Sequence, residues 1–292
     1  MLMENITVDK QIKKVAIQGI EGCFHHEAAR RFWSEPIELV PALTFDEAMD
    51  NLMTQKADYG VMAIENSLAG SIIPNYNLLR KSGAKVCGEI SLHIALHMMA
   101  LPGSNLDDIR EVHSHPMAIH QCKVFLNQFP SIKRVESIDT ALSARDISEN
   151  KMKGTAAIAG KLAAEKYGLE IIKEGIESHK DNYTRFLIIS GKGERDGMPI
   201  TANAETGNLK ASLYFQTKHR KGILAMVLTT IAVHGINLVK LQSHPVPSRN
   251  KLYGFYIDLE ISSKDQLLKL LEDLEDQTTL IEILGVYQKE NE

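Results

Sequence analysis

Asp58-Tyr59-Gly60-Val61-Met62-Ala63-Ile64 runs without a break into Glu65-Asn66-Ser67-Leu68-Ala69-Gly70-Ser71. The first seven residues read as a buried strand, an apolar run bounded by turn residues. Upstream, Thr44 and Glu47 form a capping box that opens a helix to about Thr54. A short strand, Glu38-Leu39-Val40, precedes that helix. Earlier still, Lys14 to Gly19 reads as a strand ending in a glycine turn. It is followed by Ile20-Glu21-Gly22-Cys23-Phe24-His25-His26 and a helix to about Trp33. Strands alternating with helices predict βαβ units and a mainly parallel sheet, an α/β fold. Ligands of open α/β sheets sit beyond the carboxyl ends of the strands. Glu65, Asn66 and Ser67 are therefore candidate site residues, although an Asn-Ser pair can also do no more than cap a loop.

Working outward, Val86 to Met99 reads as one long strand that crosses to a second lobe. Glu111 to Ser114 is a strand, and Pro116 suits the first position of a helix running to about Phe129. Ser114 falls at a strand end and a helix start, where free backbone N–H groups can hold a carboxylate. Capping and binding are equally consistent with it. Asp139 caps the next helix. Thr155–Gly160 reads as strand then helix, and strands are expected at Glu170–Glu174 and Thr184–Ser190. Two lobes of parallel sheet predict a cleft between them.

At the mouth of the last of these strands stands Asp181-Asn182-Tyr183-Thr184-Arg185-Phe186. A hydroxyl beside a guanidinium suits a small anionic substrate that loses a hydroxyl. Thr184 can donate to a departing oxygen, and Arg185 can grip a carboxylate through two parallel N–H bonds. The plain alternative is an Asn turn, a β-forming Thr and a solvated Arg.

Residues 191–208 are rich in glycine and charge and read as a linker. Beyond it, Lys210–Gln216 alternates like a half-buried strand, and Gly222–His234 is an amphipathic helix closed by Gly235. Leu238–Pro245 and Leu252–Glu260 are strands. Ser263 with Gln266 caps a helix to about Asp276, and Ile281–Gln288 is the last strand. The order βαββαβ is a ferredoxin-like unit.

The chain has 292 residues, 44% hydrophobic and 24% charged, which is enough for one large or two ordinary domains. A net charge of -4 with no basic block argues against nucleic acid. Cys23, Cys87 and Cys122 make neither a disulfide framework nor a zinc site. The histidine pairs have no accompanying carboxylate or thiol cluster. There is no signal-peptide core and no bilayer-length apolar run. No membrane partner and a cytoplasmic location are expected.

Taken together, Gly19-Ile20-Glu21-Gly22, Ile64-Glu65-Asn66-Ser67 with Gly70-Ser71, Ser114-His115-Pro116 with Gln121-Cys122, Ala156-Ala157-Ile158-Ala159 with Tyr167-Gly168, and Asn182-Tyr183-Thr184-Arg185-Phe186 resemble the prephenate dehydratase family in its form with a C-terminal ACT domain. The resemblance covers Lys14 to about Tyr287. It implies a two-lobed, periplasmic-binding-protein-like catalytic domain over residues 14–192 and an ACT regulatory domain over 208–292. It also implies conversion of prephenate to phenylpyruvate, water and carbon dioxide without metal or organic cofactor. By motif, Thr184 would assist departure of the ring hydroxyl, with Glu65 or His115 as proton donor. Asn66, Ser67, Ser114, Gln121 and Arg185 would bind the substrate. The stretch before Lys14 is too short for a chorismate mutase domain, so a monofunctional form is expected.

Arg220-Lys221-Gly222-Ile223-Leu224, Gly235-Ile236-Asn237-Leu238 and Gln242-Ser243-His244-Pro245 resemble the ACT segments that bind phenylalanine between domains of an oligomer. Gly222, Ile223, Leu224, Asn237, Leu238, Gln242, Ser243, His244 and Pro245 are the implied allosteric residues, in a dimer or tetramer. Gln242 and His244 stand where the family has Glu and Arg. Ile20, Cys23 and His25 likewise replace the family's Pro, Thr and Ser, and Asn75 stands where threonine is common. Two other readings share these features: arogenate dehydratase, and a non-catalytic amino-acid sensor, which would have no need of a threonine beside the arginine.

Overall fold

The computed structural model describes residues 12–191, 206–246 and 252–290. Most of the expected lead-in (residues 1–11) and of the expected linker (residues 192–205) lies outside the described residues. Strand β1 (Lys13–Gln18) pairs in parallel with β2 (Ile37–Ala42) and with β3 (Tyr59–Asn66). Helices α1 (Phe24–Phe32) and α2 (Phe45–Met53) make the crossovers. The cap of α2 is as expected on one side, Thr44 Oγ1 accepting from the Glu47 N–H at 3.1 Å. The Glu47 carboxylate reaches one residue further back, to the N–H of Leu43 at 2.8 Å.

The sheet is completed by β11 (Tyr183–Ser190), lying antiparallel between β3 and β5 (Lys85–His93), in the order β2-β1-β3-β11-β5. The sheet is thus mixed, where a mainly parallel one was expected. The chain leaves this lobe along β5 and returns along the adjacent β11, and a departing and a returning strand side by side must run antiparallel. The short strand β4 (Gly70–Ser71), antiparallel to β3, and helix α3 (Ile73–Ser82) separate β3 from β5.

Val86 to Met99 forms two strands where one was expected. β5 stops at His93, and β6 (His97–Ala100) belongs to the second sheet. That sheet has the order β10-β6-β9-β7-β8, with β7 at Glu111–Ser114, β8 at Lys133–Glu136, β9 at Thr155–Ala159 and β10 at Glu170–Lys173. Strand β7 is parallel to β8 and β9, whereas β6 is antiparallel to β9 and β10. Around it lie α4 (Pro116–Gln121), α5 (Lys123–Leu126), α6 (Thr140–Glu149) and α7 (Lys161–Tyr167). The single helix expected up to Phe129 breaks at Cys122. One hydrophobic cluster runs through both lobes, joining Val15 and Ile17 to Leu92, Leu96 and Met98 and on to Val112 and Ile158.

The C-terminal unit follows the expected βαββαβ order: β12 (Thr206–Thr217), α8 (Ile223–Val233), β13 (Asn237–Pro245), β14 (Tyr253–Ser263), α9 (Lys264–Leu274) and β15 (Leu280–Gln288). Its antiparallel sheet has the order β13-β14-β12-β15. Alternation divides the two faces. Leu213, Phe215, Ile257 and Leu259 pack under Val227, Ile231, Leu267 and Leu270 of the two helices. Tyr214, Tyr256 and Tyr287 face the other way and join Met62, Ile64, Tyr76, Val86, Leu187 and Ile189 of the first lobe. The approach is close enough that a Cβ on Gly285 would lie 2.1 Å from the Val86 carbonyl oxygen. The C-terminal unit is therefore packed directly on the sheet that carries β3 and β11.

Candidate active site

β3 and β11 are aligned so that Asn66 stands opposite Thr184 and Glu65 opposite Arg185. Successive side chains of a strand point to opposite faces. One pair must therefore face the cleft and the other must face away.

Asn66 and Thr184 face the cleft. They line a cavity of about 990 Å³ between the lobes, together with His25, Gln121 and Phe186. Asn66 Nδ2 donates to Thr184 Oγ1 at 2.9 Å and to Asn182 Oδ1 at 2.7 Å. Its own Oδ1 accepts the N–H groups of Leu68 and Ala69 at 3.0 and 2.9 Å, which pins the amide orientation. Thr184 Oγ1 thus accepts one bond, and its proton has no acceptor among the described residues. A hydroxyl held this way is poised to donate into the cavity.

Asn182 is fully buried and donates from Nδ2 to Gln121 Oε1 at 3.3 Å. It links Asn66 in one lobe to α4 of the other. From local sequence alone, Asn182 reads as a turn former. Its sole advance signal was its place in the family motif.

The first turns of α1, α2, α4 and α6 also open on this cavity, through Phe24 and His25, Phe45 and Asp46, Met117 and Ala118, and Thr140. Helix N-termini favour anions. His115 is the N-cap of α4, its Nδ1 accepting from the Met117 N–H at 3.2 Å. Asp139 caps α6 through Oδ1, 2.9 Å from the Leu142 N–H, and burial pushes its carboxyl above the usual range. Lys81 is the Lys or Arg among the lining residues. His25, buried in the cavity wall, accepts the Ala63 N–H at 3.3 Å, and burial holds its pKa down to about 3. Cys23 lines the cavity with its thiol directed to the Gln18 carbonyl, and burial pushes its pKa up to about 12.

Other expected site residues lie elsewhere. Ser114 is buried and donates to the Ile158 carbonyl at 2.6 Å, holding β7 to β9. Ser67 accepts the Tyr183 N–H at 2.9 Å and donates to the Asp181 carbonyl at 3.2 Å. Neither is among the residues lining the cavity.

Glu65 and Arg185 occupy the opposite face, the one covered by the C-terminal unit. Arg185 donates from Nε to Glu89 at 2.8 Å, from Nη1 to Asp258 at 2.5 Å and from Nη2 to the Tyr287 hydroxyl at 2.9 Å. Burial alone would lower its pKa, but the carboxylates of Asp258 and Glu89 hold it well above the ordinary value. Glu65 pairs with Lys240 at 2.7 Å. The expected carboxylate grip by Arg185 and proton donation by Glu65 thus meet a simple obstacle. Each is one residue out of phase with the cleft.

In the C-terminal unit, Gly222, Ile223 and Leu224 line a second cavity of about 240 Å³ with Thr217, Tyr253 and Phe255. The other expected regulatory residues are not among its lining. Leu238 packs against the helix-side core, and Asn237 donates to Glu260 at 2.7 Å. Gln242, Ser243, His244 and Pro245 run along the edge strand β13. There the Gln242 amide is turned back to the Ser243 carbonyl, and the His244 ring stacks on Tyr256 at 5.3 Å.

The prephenate dehydratase family model matches residues 15–194, and an ACT domain model matches 205–283. A bifunctional chorismate mutase/prephenate dehydratase of Aquifex aeolicus (strain VF5) is 33% identical over 286 residues, covering 97% of this chain and 75% of that protein. An arogenate dehydratase/prephenate dehydratase of Arabidopsis thaliana is also 33% identical, over 98% of this chain and 75% of its own length. Among solved structures, one titled as GqqA, a novel type of quorum quenching acylase, has 29% identity and a TM-score of 0.83, over 95% of this chain and 98% of that one. A prephenate dehydratase from Arthrobacter aurescens in complex with L-Phe has 24% identity and a TM-score of 0.81, over 94% of this chain and 89% of its own. At that identity it shows the same fold.

Proposed function

The chain belongs to the prephenate dehydratase family, and from that premise we propose that it converts prephenate to phenylpyruvate, water and carbon dioxide, with phenylalanine as feedback inhibitor acting on the ACT domain. The observation that carries the reading is the bond from Asn66 Nδ2 to Thr184 Oγ1 inside the interlobe cavity. In the reaction the ring C–O bond breaks with its electron pair, the C–carboxylate bond supplies electrons to the aromatic ring, and one proton converts the departing hydroxide to water. Thr184 donates a hydrogen bond to that oxygen. Threonine is too weak an acid to be the final source, so the proton comes from a neighbour, and His115 in the same cavity fills that role.

The substrate dianion is met by helix N-termini and Lys81, and Gln121 and Asn66 orient it. Aromatisation drives the decarboxylation, so positioning and stabilisation of the leaving oxygen are the protein's main tasks. We place the catalytic unit at residues 14–192 and the regulatory unit at 208–292. The protein is read as a carbon–oxygen lyase of the cytoplasm that associates through its ACT domains as a dimer or tetramer. Arogenate differs by an amine in place of the keto oxygen, and the relative named for both substrates makes it the second compound to assay.

The cavity thiol, Cys23, is held protonated by burial, which disfavours it as the nucleophile of an acylase. The decisive experiment is phenylpyruvate formation from prephenate by the purified protein, with and without phenylalanine. Turnover that phenylalanine suppresses is expected. Absence of turnover with both prephenate and arogenate overturns the dehydratase reading.

A further inference from the structure

Two neighbouring residue pairs share the same two strands. Asn66 and Thr184 form the pair in the cleft, and Glu65 and Arg185 form the next pair on the opposite face. That second pair is held from the ACT domain. Lys240 of β13 bonds Glu65 at 2.7 Å and also donates to Ser71 Oγ at 2.7 Å. Asp258 of β14 bonds Arg185 at 2.5 Å and is fixed in turn by Ser212 of β12. Lys210 of β12 closes the set on Glu89 at 2.6 Å.

Glu65, Glu89 and Asp258 thus meet Arg185, Lys210 and Lys240, so the cluster is electrically balanced. Glu65, at 36% exposed, stands at its wet edge, and the other members are 2–15% exposed and shielded from water. A buried set of this kind is fixed in geometry, because removing one member leaves another charge without a partner. The β3–β11 pairing also slips between Arg185 and Phe186, an irregularity that bends β11 one residue beyond Thr184.

We propose that Glu65 and Arg185 are positioning residues. Held by Lys240 and Asp258 of the ACT domain, they set the backbone of β3 and β11 so that Asn66 and Thr184 meet at bonding distance in the cleft. This rests on the dehydratase reading and deepens it. The state of the ACT sheet is transmitted to the catalytic hydroxyl through the backbone between adjacent residues, with no contact to substrate. Lys240 lies two residues before Gln242 on the edge strand, so a ligand that moves β13 moves the partner of Glu65.

The test uses the full chain with Lys240→Met and Lys240→Arg. With prephenate as substrate, Lys240→Met is expected to lower kcat by roughly tenfold to a hundredfold, the scale of a misplacement near 1 Å, with KM changed less than about twofold. Lys240→Arg restores the charge and most of kcat. An unchanged kcat in Lys240→Met, or a loss that Lys240→Arg does not rescue, overturns the proposal. Hydrogen exchange gives a second readout that needs no turnover. In Lys240→Met, amides of 63–66 and 183–186 should exchange faster while those of 155–159 do not change. Uniform change or none overturns the proposal. A wild-type protein inactive on prephenate and arogenate removes the dehydratase reading and leaves exchange alone to decide this one.

Discussion

Asn182 Nδ2 lies 3.3 Å from Gln121 Oε1, and the same Asn182 accepts Asn66 Nδ2 at 2.7 Å, so one buried amide ties both lobes to the residue that holds Thr184. Asn182→Ala leaves the Gln121 carbonyl without its partner, at about 1–3 kcal/mol for a polar group left unpaired, and leaves Asn66 Nδ2 only Thr184 Oγ1 and the Tyr183 carbonyl as acceptors. We expect a lower melting temperature together with reduced kcat/KM, measured by calorimetry and by the phenylpyruvate assay.

Thr184→Ala removes the hydrogen bond to the leaving oxygen. We expect kcat to fall by about 10²–10³-fold with the fold intact, the scale for one oxyanion-type donor. Thr184→Ser keeps the hydroxyl and should retain most of the rate. Equal loss in both variants would remove the hydroxyl from the mechanism.

Arg185→Met strips a cation from Asp258 and Glu89. Breaking a buried pair by deleting one partner costs about 3–5 kcal/mol. A shift of the denaturant midpoint is therefore expected, with the effect on substrate affinity secondary. A pure rise in KM at unchanged stability would put Arg185 back at the substrate.

His25 is neutral in the folded protein, with a pKa near 3 against 6.5 for the unfolded chain. The unfolded state binds the extra proton between those values. The stabilising contribution is fully present above pH 6.5 and is lost as pH falls toward 3, at up to about 1.4 kcal/mol per pH unit. His25→Gln keeps an acceptor for the Ala63 N–H and does not titrate. Its stability, measured by denaturant titration from pH 4 to 6, should depend less on pH than that of the wild type.

Gly285→Ala places a methyl 2.1 Å from the Val86 carbonyl, a backbone atom that cannot swing aside. The ACT sheet must lift from β5. We expect lower stability and faster exchange of amides along β15 and β5, and an unchanged melting temperature would contradict the close packing.

Much of the architecture was readable from periodicity and caps. The βαββαβ order of the C-terminal unit, the Thr44 and Asp139 caps and the strand end at Ser114 need only contacts close in sequence. The direction of β11 was not readable, because Thr184 pairs with Asn66, 118 positions away in sequence. The break in Val86–Met99 was also hidden, since both halves are apolar and only their separate sheets distinguish them.

By itself, the sequence determined that this is an α/β chain with a ferredoxin-like C-terminal unit, and it singled out Thr184 and Asn66 through the motifs around them. Only the tertiary structure decided which face of β3 and β11 each residue serves. A strand alternates its side chains, so Thr184 and Arg185 had to part company. Which of them meets the cleft depends on what covers each side of the sheet, and that is settled by the second lobe on one face and by Asp258, Lys240 and Tyr287 on the other.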